Sequence, residues 1–217
     1  MKYILLVLFI VTFNLSRAQR YSDEPPKKDD EVKSLLSKNN ELNGFGNLDI
    51  RIGNIMDKET MMIGAYGGVI VNRKVMLGLA GYGLATALDF DGVHPESGTP
   101  RQLNLYGGYG GMILGIMIAS KEVVHISIPV ILAAGNLDVS DDTFFASRSG
   151  KDAKYDLESS RFFVVEPGIQ AEINVSKVFR IGLGAGYRIA RGLDLVNVDD
   201  GDLTKFTGVV SFKFGVF

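Results

Sequence analysis

Between Phe179 and Ile189 every second residue is apolar: Phe179, Ile181, Leu183, Ala185, Tyr187 and Ile189. The residues between them are Arg180, Gly182, Gly184, Gly186 and Arg188. A period of two sends successive side chains to opposite faces of a β-strand, so one face is wholly apolar and the other carries two guanidinium groups. In a soluble barrel the apolar set points inward and the arginines outward. In a barrel that spans a bilayer the apolar set meets lipid and the charges turn into the lumen.

The same division recurs. In Arg161–Val175, residues Phe163, Val165, Ile169, Ile173 and Val175 oppose Glu166, Gln170, Glu172 and Asn174. In Leu203–Phe217, residues Phe206, Val210, Phe212, Phe214 and Val216 oppose Lys205, Thr207, Ser211 and Lys213. In Phe45–Met56, residues Leu48, Ile50 and Ile52 oppose Asn47, Asp49 and Arg51. Four more segments read as strands with apolar residues and glycine on both parities: Thr60–Val71, Lys74–Ala87, Arg101–Ala119 and Glu122–Gly135. Most of the eight reach ten residues, whereas strands of soluble sheets run to about 5–6. A tilted strand crossing a bilayer takes about 9–11.

The connections alternate in length. Tight turns are expected at Asn72-Arg73, Ser120-Lys121 and Ser176-Lys177, and long hydrophilic loops at Leu88–Pro100, Asn136–Ser160 and Arg191–Asp202. Only Asp57-Lys58-Glu59 is short on the long-loop side. The expected fold is all-β: an eight-stranded antiparallel up-and-down transmembrane β-barrel over residues 44–217, with short periplasmic turns, long outer loops and both termini periplasmic. The competing reading is a soluble, lipocalin-like barrel with Phe179 to Ile189 turned inward.

The N-terminal 43 residues differ. Lys2, the apolar run Tyr3 to Phe13 and Ser16-Arg17-Ala18 read as a signal peptide over residues 1–18. The run is shorter than the roughly 20 apolar residues of a membrane-spanning helix, which makes an uncleaved anchor the lesser alternative. Export then places the chain in the bacterial outer membrane. Residues 19–43 read as a disordered or short-helical periplasmic tail or linker. Asp23-Glu24-Pro25-Pro26-Lys27-Lys28-Asp29-Asp30 is charged and lacks apolar side chains, and Val32, Leu35 and Leu36 follow at helical spacing. There is no cysteine, hence no disulfide, thiolate metal site, Cys nucleophile or lipidated N-terminal Cys. Lys+Arg 23 against Asp+Glu 25 leaves no basic excess for a nucleic-acid partner.

Several glycine-aromatic stretches stand out: Gly67 to Asn72, Gly78 to Leu84, Tyr106 to Gly111, Val123 to Ser127, Phe163 to Gly168 and Phe179 to Arg188. In their order along the chain they resemble a family of small, poorly characterised outer-membrane β-barrel proteins of Gram-negative bacteria. The resemblance runs from about Gly44 to Phe217. It implies a location and a fold and brings no established activity. Where such relatives carry acidic residues just after the tyrosine-glycine segment, this chain has Ile113 and Gly115.

An eight-stranded barrel has an interior just wide enough for side chains to fill. Asp49, Arg51, Glu166, Gln170, Glu172, Arg180, Arg188, Lys205 and Lys213 are the expected lumen charge network. A buried charge needs partners, so a structural web of pairs is the leading reading and a proton or ion path the sharper one. Phe179, Ile181, Leu183, Tyr187, Phe206, Phe212 and Phe214 are expected to face lipid. Two histidines offer themselves as bases: His125, with Ser127 two residues on, and His94, with Asp89, Asp91 and Ser97 nearby in sequence. A triad needs nucleophile, base and orienting acid in mutual reach, which sequence proximity does not establish. No catalytic residue and no cofactor is assigned.

The long loops are acidic, with Asp89, Asp91 and Glu96, then Asp138, Asp141, Asp142, Asp152, Asp156 and Glu158, then Asp194, Asp199, Asp200 and Asp202. Asp199, Asp200 and Asp202 are the best local candidates for Ca²⁺ or Mg²⁺, without the full twelve-residue loop pattern. Phe144-Phe145 interrupts the second loop, as a fold-back over the barrel mouth or a contact for a partner. Phe217 is out of phase with Val216, so either the strand ends there or Gly215 permits a bulge. The expected role is non-enzymatic, structural or in interaction, as a small subunit of a larger envelope complex. Outer-membrane lipid, lipopolysaccharide and another outer-membrane protein are the expected partners. A narrow channel or carrier for small or apolar molecules is the alternative, followed by a membrane-embedded lipid-modifying enzyme.

Overall fold

The computed structural model describes residues 41–85, 87–141 and 156–217. The signal segment 1–18, the tail up to residue 40, and Asp142, Phe144, Phe145 and Asp152 lie outside the described residues. Ten strands follow one another: β1 (Leu42–Ile55), β2 (Lys58–Val71), β3 (Val75–Leu84), β4 (Leu88–Val93), β5 (Pro100–Ile118), β6 (Val124–Ser140), β7 (Asp156–Asn174), β8 (Phe179–Tyr187), β9 (Ile189–Arg191) and β10 (Phe206–Gly215). All pairings are antiparallel. β1 pairs with both β2 and β10, and β3 pairs with β5, so the ring closes as β1-β2-β3-β5-β6-β7-β8-β10. Eight staves therefore make the barrel. β4 and β9 continue β3 and β8 beyond short breaks and pair with β5 and β7.

Asn72 and Arg73 both take left-handed backbone angles (φ 52° and 59°), as do Met56 and Asp57 (φ 52° and 59°). Two consecutive left-handed residues match the twist of a hairpin, and this explains how β1–β2 and β2–β3 turn so tightly. At the start of β1, the Arg73 guanidinium donates to the Glu41 carboxylate at 2.8 and 3.0 Å. That hydrogen bonding holds the Glu41 carboxyl below the usual carboxylate range. At the other end of the chain β10 stops at Gly215, and Phe217 lies beneath Arg180, with the guanidinium carbon 3.7 Å from its ring centroid. The phase slip between Val216 and Phe217 is the end of the strand.

The barrel has two zones of opposite polarity. Toward the short turns, large apolar side chains point outward on every stave, among them Leu48, Ile63, Leu79, Leu114, Ile126, Ile169, Leu183 and Phe214. Toward the long connections the sense reverses: Leu88, Phe90, Leu103, Leu105 and Val139 are buried inside, while Asp89, Asp91, Gln102, Ser159 and Arg161 face out. The expected loops Leu88–Pro100 and Asn136–Ser160 are thus corrected, because much of each is strand. Leu88 and Phe90 alternate with Asp89 and Asp91 across a pleat that has an apolar inside. β5 crosses from one zone to the other at Gly107, whose φ of +138° and near contact with the Asn136 carbonyl leave no room for a Cβ. There it exchanges its partner β3 for β4.

The segment between β9 and β10 closes the upper zone. It was expected as a loop to Asp202 followed by strand from Leu203. Instead a short helix, α1 (Asp200–Leu203), precedes β10, and Val198 and Leu203 are buried in the upper core. Asn197 reaches the outer edge of β4. Its Oδ1 accepts from the Val93 N–H at 2.9 Å and its Nδ2 donates to the Val93 carbonyl at 2.8 Å. The amide stands in for the backbone of a further strand and covers an edge that would otherwise be unpaired. Removing it as Asn197→Ala is expected to cost about 1–2 kcal/mol, two modest hydrogen bonds. Amide hydrogen exchange should accelerate at Val93 and stay unchanged in β1 and β10. Unaltered protection at Val93 would show that Asn197 does not hold this edge.

Candidate functional site

Inner positions of β1, β7, β8 and β10 converge on two buried clusters. The first is built around Arg51 and Glu166, an ion pair with both side chains out of reach of water. Arg51 also donates to Asp49 at 3.1 Å and to the Tyr82 hydroxyl at 3.0 Å, and Tyr82 in turn donates to Asp49 at 3.0 Å. Asn47 donates to the other Asp49 oxygen. Glu166 is completed by the Tyr109 hydroxyl at 2.6 Å and the Thr207 hydroxyl at 3.0 Å. The Arg51 guanidinium lies 4.1 Å from the Tyr82 ring centroid, adding a cation–π contact where solvent is excluded.

The second cluster is built around Glu172, which is 0% exposed. One carboxylate oxygen accepts from Ser127 at 2.6 Å and is ion-paired with Lys213. The other faces His125 Nε2 at 3.1 Å and Arg180 at 3.9 Å. Gln170 accepts from Ser211 at 3.3 Å beside them. Three of the four inward positions of β8, Gly182, Gly184 and Gly186, are glycine, and these side chains use the space. A Cβ on Gly182 would sit 2.3 Å from Ser211 Oγ, and one on Gly184 2.6 Å from Gln170 Cγ. Gly186 likewise leaves Glu166 and Thr207 their room.

Seven of the nine residues expected in the lumen network thus share the two clusters; Arg188 and Lys205 stand apart. Arg188 is buried at the upper end of the lumen, where it donates to the carbonyls of Leu203 at 2.8 Å and Asn54 at 3.4 Å. It ties α1 down onto the barrel. Lys205 is corrected: it lies at the rim, one-third exposed, paired at 2.9 Å with Asp57, whose carboxylate raises its pKa. Just before β10, Lys205 is beyond the ladder that begins at Phe206, so strand parity did not carry it inward.

The outward set lies on the outer face of β8 and β10. Leu183, Tyr187, Phe206 and Phe214 are exposed, and Phe179, Ile181 and Phe212 are half-buried. His94 spends its Nδ1 on the backbone N–H groups of Glu96 and Ser97, each at 3.3 Å, inside its own turn. Asp199 caps α1 by accepting from Gly201 and Asp202, and Asp200 accepts from the Leu193 N–H at 2.9 Å. These carboxylates are spent on the backbone, and no His/Cys/Asp/Glu cluster suited to a metal ion occurs among the described residues.

Sequence reasoning missed the tyrosines. Tyr66, Tyr82 and Tyr109 come from β2, β3 and β5, where both parities are apolar, and nothing in the alternation singles them out as inward. Ser127 and His125 do meet a carboxylate, but in the wrong order for a triad: the Ser127 hydroxyl donates to Glu172 and not to a histidine base. The arrangement pairs charges and fills space. Removing one member of a buried pair leaves an uncompensated charge, at a typical cost of about 3–5 kcal/mol. Glu172→Gln should therefore lower stability by about that much in urea unfolding from lipid vesicles. The same substitution in a Lys213→Met background should cost clearly less. Strict additivity of the two would show that the pair is not coupled.

No protein-family model and no curated protein matches the sequence. Among solved structures the chain is similar to Ail, the attachment invasion locus protein of Yersinia pestis, at 12% identity over 81% of this chain and 98% of that one, TM-score 0.40. It is similar to Ail in complex with the heparin analogue sucrose octasulfate at 15% identity over 81% and 98%, TM-score 0.42. It is also similar to Neisserial surface protein A, at 12% identity over 82% and 97%, TM-score 0.44. The likeness is one of strand arrangement alone.

Proposed function

We propose that this chain is an integral outer-membrane β-barrel with a structural or interaction role, whose lumen does not conduct and whose buried groups do not catalyse. The observation that carries this reading is the apolar belt in the lower zone. Phe206 is 75% exposed, Leu79 70% and Leu183 62%, on three different staves. A belt of that kind around a whole molecule far exceeds the apolar patch of a few hundred Å² that a soluble monomer tolerates. Two outward aromatic pairs mark its height: Phe179 with Phe214, ring centroids 4.8 Å apart, and Tyr187 with Phe206, 4.6 Å apart. Eight residues separate Phe179 from Tyr187 along β8, about 26 Å along the strand and roughly 20 Å once tilted. That is close to the apolar band of about 25 Å between the aromatic girdles of outer-membrane barrels.

The interior supports a sealed wall. The clusters around Arg51 and Glu172 exclude water from the middle, and the apolar packing of Leu103, Leu105, Val139 and Leu203 fills the upper end. With short turns toward the periplasm, the charged outer faces of β4, β6 and β7 stand outside the membrane, where lipopolysaccharide and neighbouring envelope proteins are within reach. This placement supports a role as a small subunit of an envelope complex.

The belt assignment is tested by Leu183→Arg, midway between the aromatic pairs. It should cost about 2–4 kcal/mol of folding free energy into bilayers. Gln102→Arg, on the polar exterior of the upper zone, should stay within about 0.5 kcal/mol of the parent. Equal effects at the two positions would remove the membrane assignment. In planar bilayers the folded protein is expected to give no stepwise conductance; reproducible single-channel steps would overturn the sealed lumen.

A further inference from the structure

Among the described residues, the short-turn mouth of the barrel is basic. A recess of about 350 Å³ there is lined by Arg73, Lys121, Lys177, Arg180 and Phe217, with Asn174 and two serines; the Glu41 carboxylate stands at its edge, on Arg73. The four cations arrive from four places: the β2–β3, β5–β6 and β7–β8 turns and the first inward position of β8. Arg180 is its floor. It is only 3% exposed, its guanidinium lies over the Phe217 ring, and its Nε–H has no partner. Its remaining contacts are weak: the Ser120 carbonyl at 3.5 Å, the Met117 sulfur at 3.6 Å, and Glu172 at 3.9 Å from behind. Arg73 is engaged by Glu41, whereas Lys121 and Lys177 form no ion pair among the described residues.

We propose that this recess binds a phosphate group, as a phosphate ester carried by a lipid headgroup or by a soluble molecule. Among the described residues, Arg180 Nη2 has only the Ser120 carbonyl at 3.5 Å, a long contact that leaves the guanidinium charge incompletely met on the side of the recess. Held over Phe217, the Arg180 guanidinium is fixed in place at the floor of the recess, where it can meet an anionic oxygen. Lys121 and Lys177 supply compact charge at the rim, which a tetrahedral dianion uses better than a single carboxylate does. The recess is wider than a bare phosphate needs and leaves room for the group attached to it. This site is independent of the sealed lumen and of the belt, and either can fail without the other.

The test is calorimetry on the full-length protein, folded in maltoside micelles, with inorganic phosphate and glycerol phosphate as probes at constant ionic strength. Saturable binding is expected, weakened at least tenfold by Lys121→Ala/Lys177→Ala, two exposed residues whose loss leaves the fold intact. Lys58→Ala/Lys205→Ala, beside the β1–β2 turn at the opposite end, should leave binding unchanged. Loss of the signal in phosphatidylglycerol nanodiscs assigns the site to a lipid headgroup; its persistence there assigns it to a soluble ester. No saturable heat, or an undiminished signal in the Lys121/Lys177 variant, would overturn the proposal. So would binding that appears only after Asp29, Asp30 and Glu31 are neutralised, because the chain's own acidic segment would then be the occupant.

Discussion

The structure depends on Glu172 and Glu166 finding their full set of partners in a space closed to solvent. Each is surrounded by groups from several staves: Glu172 by β6, β8 and β10, Glu166 by β1, β5 and β10. A charge in such a place is tolerated only when its partners are also there, so the pairs can form only if the ring closes in the right register. A slip of one residue in β10 would turn Lys213 to the outside and bring Phe212 or Phe214 against a carboxylate. The ion pairs thus select one register among those that the apolar belt alone would permit. Their contribution is to specificity of closure at least as much as to net stability.

Where the lumen is charged, the sequence is transparent. β1, β7, β8 and β10 carry both carboxylate clusters, and their alternation assigns their inward charges correctly, erring only in also counting Lys205 at the rim. β2 to β6 line the opposite half of the lumen, where Met62, Ile70, Met76, Ile113, Met117 and Ile131 are buried. An apolar inside against an apolar outside leaves no contrast for a period-two pattern to display. This is why Tyr82 and Tyr109, which complete the first cluster, and Tyr66 do not stand out in the sequence. Ile113 belongs to the same apolar lining, and Met76 occupies the space beside Gly115, so the departure from the family's acidic positions matches the local chemistry of this half.

The upper zone was misread for a different reason. Leu88-Asp89-Phe90-Asp91 alternates as clearly as any membrane strand, but with the opposite sense, and its aspartates and nearby glycine and proline read as loop. Polarity alone does not separate a solvated loop from a strand whose outer face is solvated; the apolar residues between the charges do. The helix α1 was hidden because four residues offer no periodicity. Its one signal is Asp199 three residues before Asp202, the capping box that the structure uses.

The two ends of the barrel solve the same physical problem in unlike ways. At the upper end the lumen is closed by hydrocarbon, with Leu203 and Val198 packed on Leu103 and Leu105 and Arg188 spent on backbone carbonyls. At the lower end closure stops at Arg180, whose charge is only partly met by Glu172 behind it. Moving that arginine two residues along β8, to the place of Gly182, would bury it among Ser211, Gln170 and Glu172, where the site has no room for it. At the mouth it has room, an aromatic ring to rest on and an open side. The sealed interior and the open basic recess are therefore parts of one arrangement. Three buried carboxylates balance Arg51, Lys213 and part of Arg180, and among the described residues the remainder of the charge is displayed at the short-turn mouth.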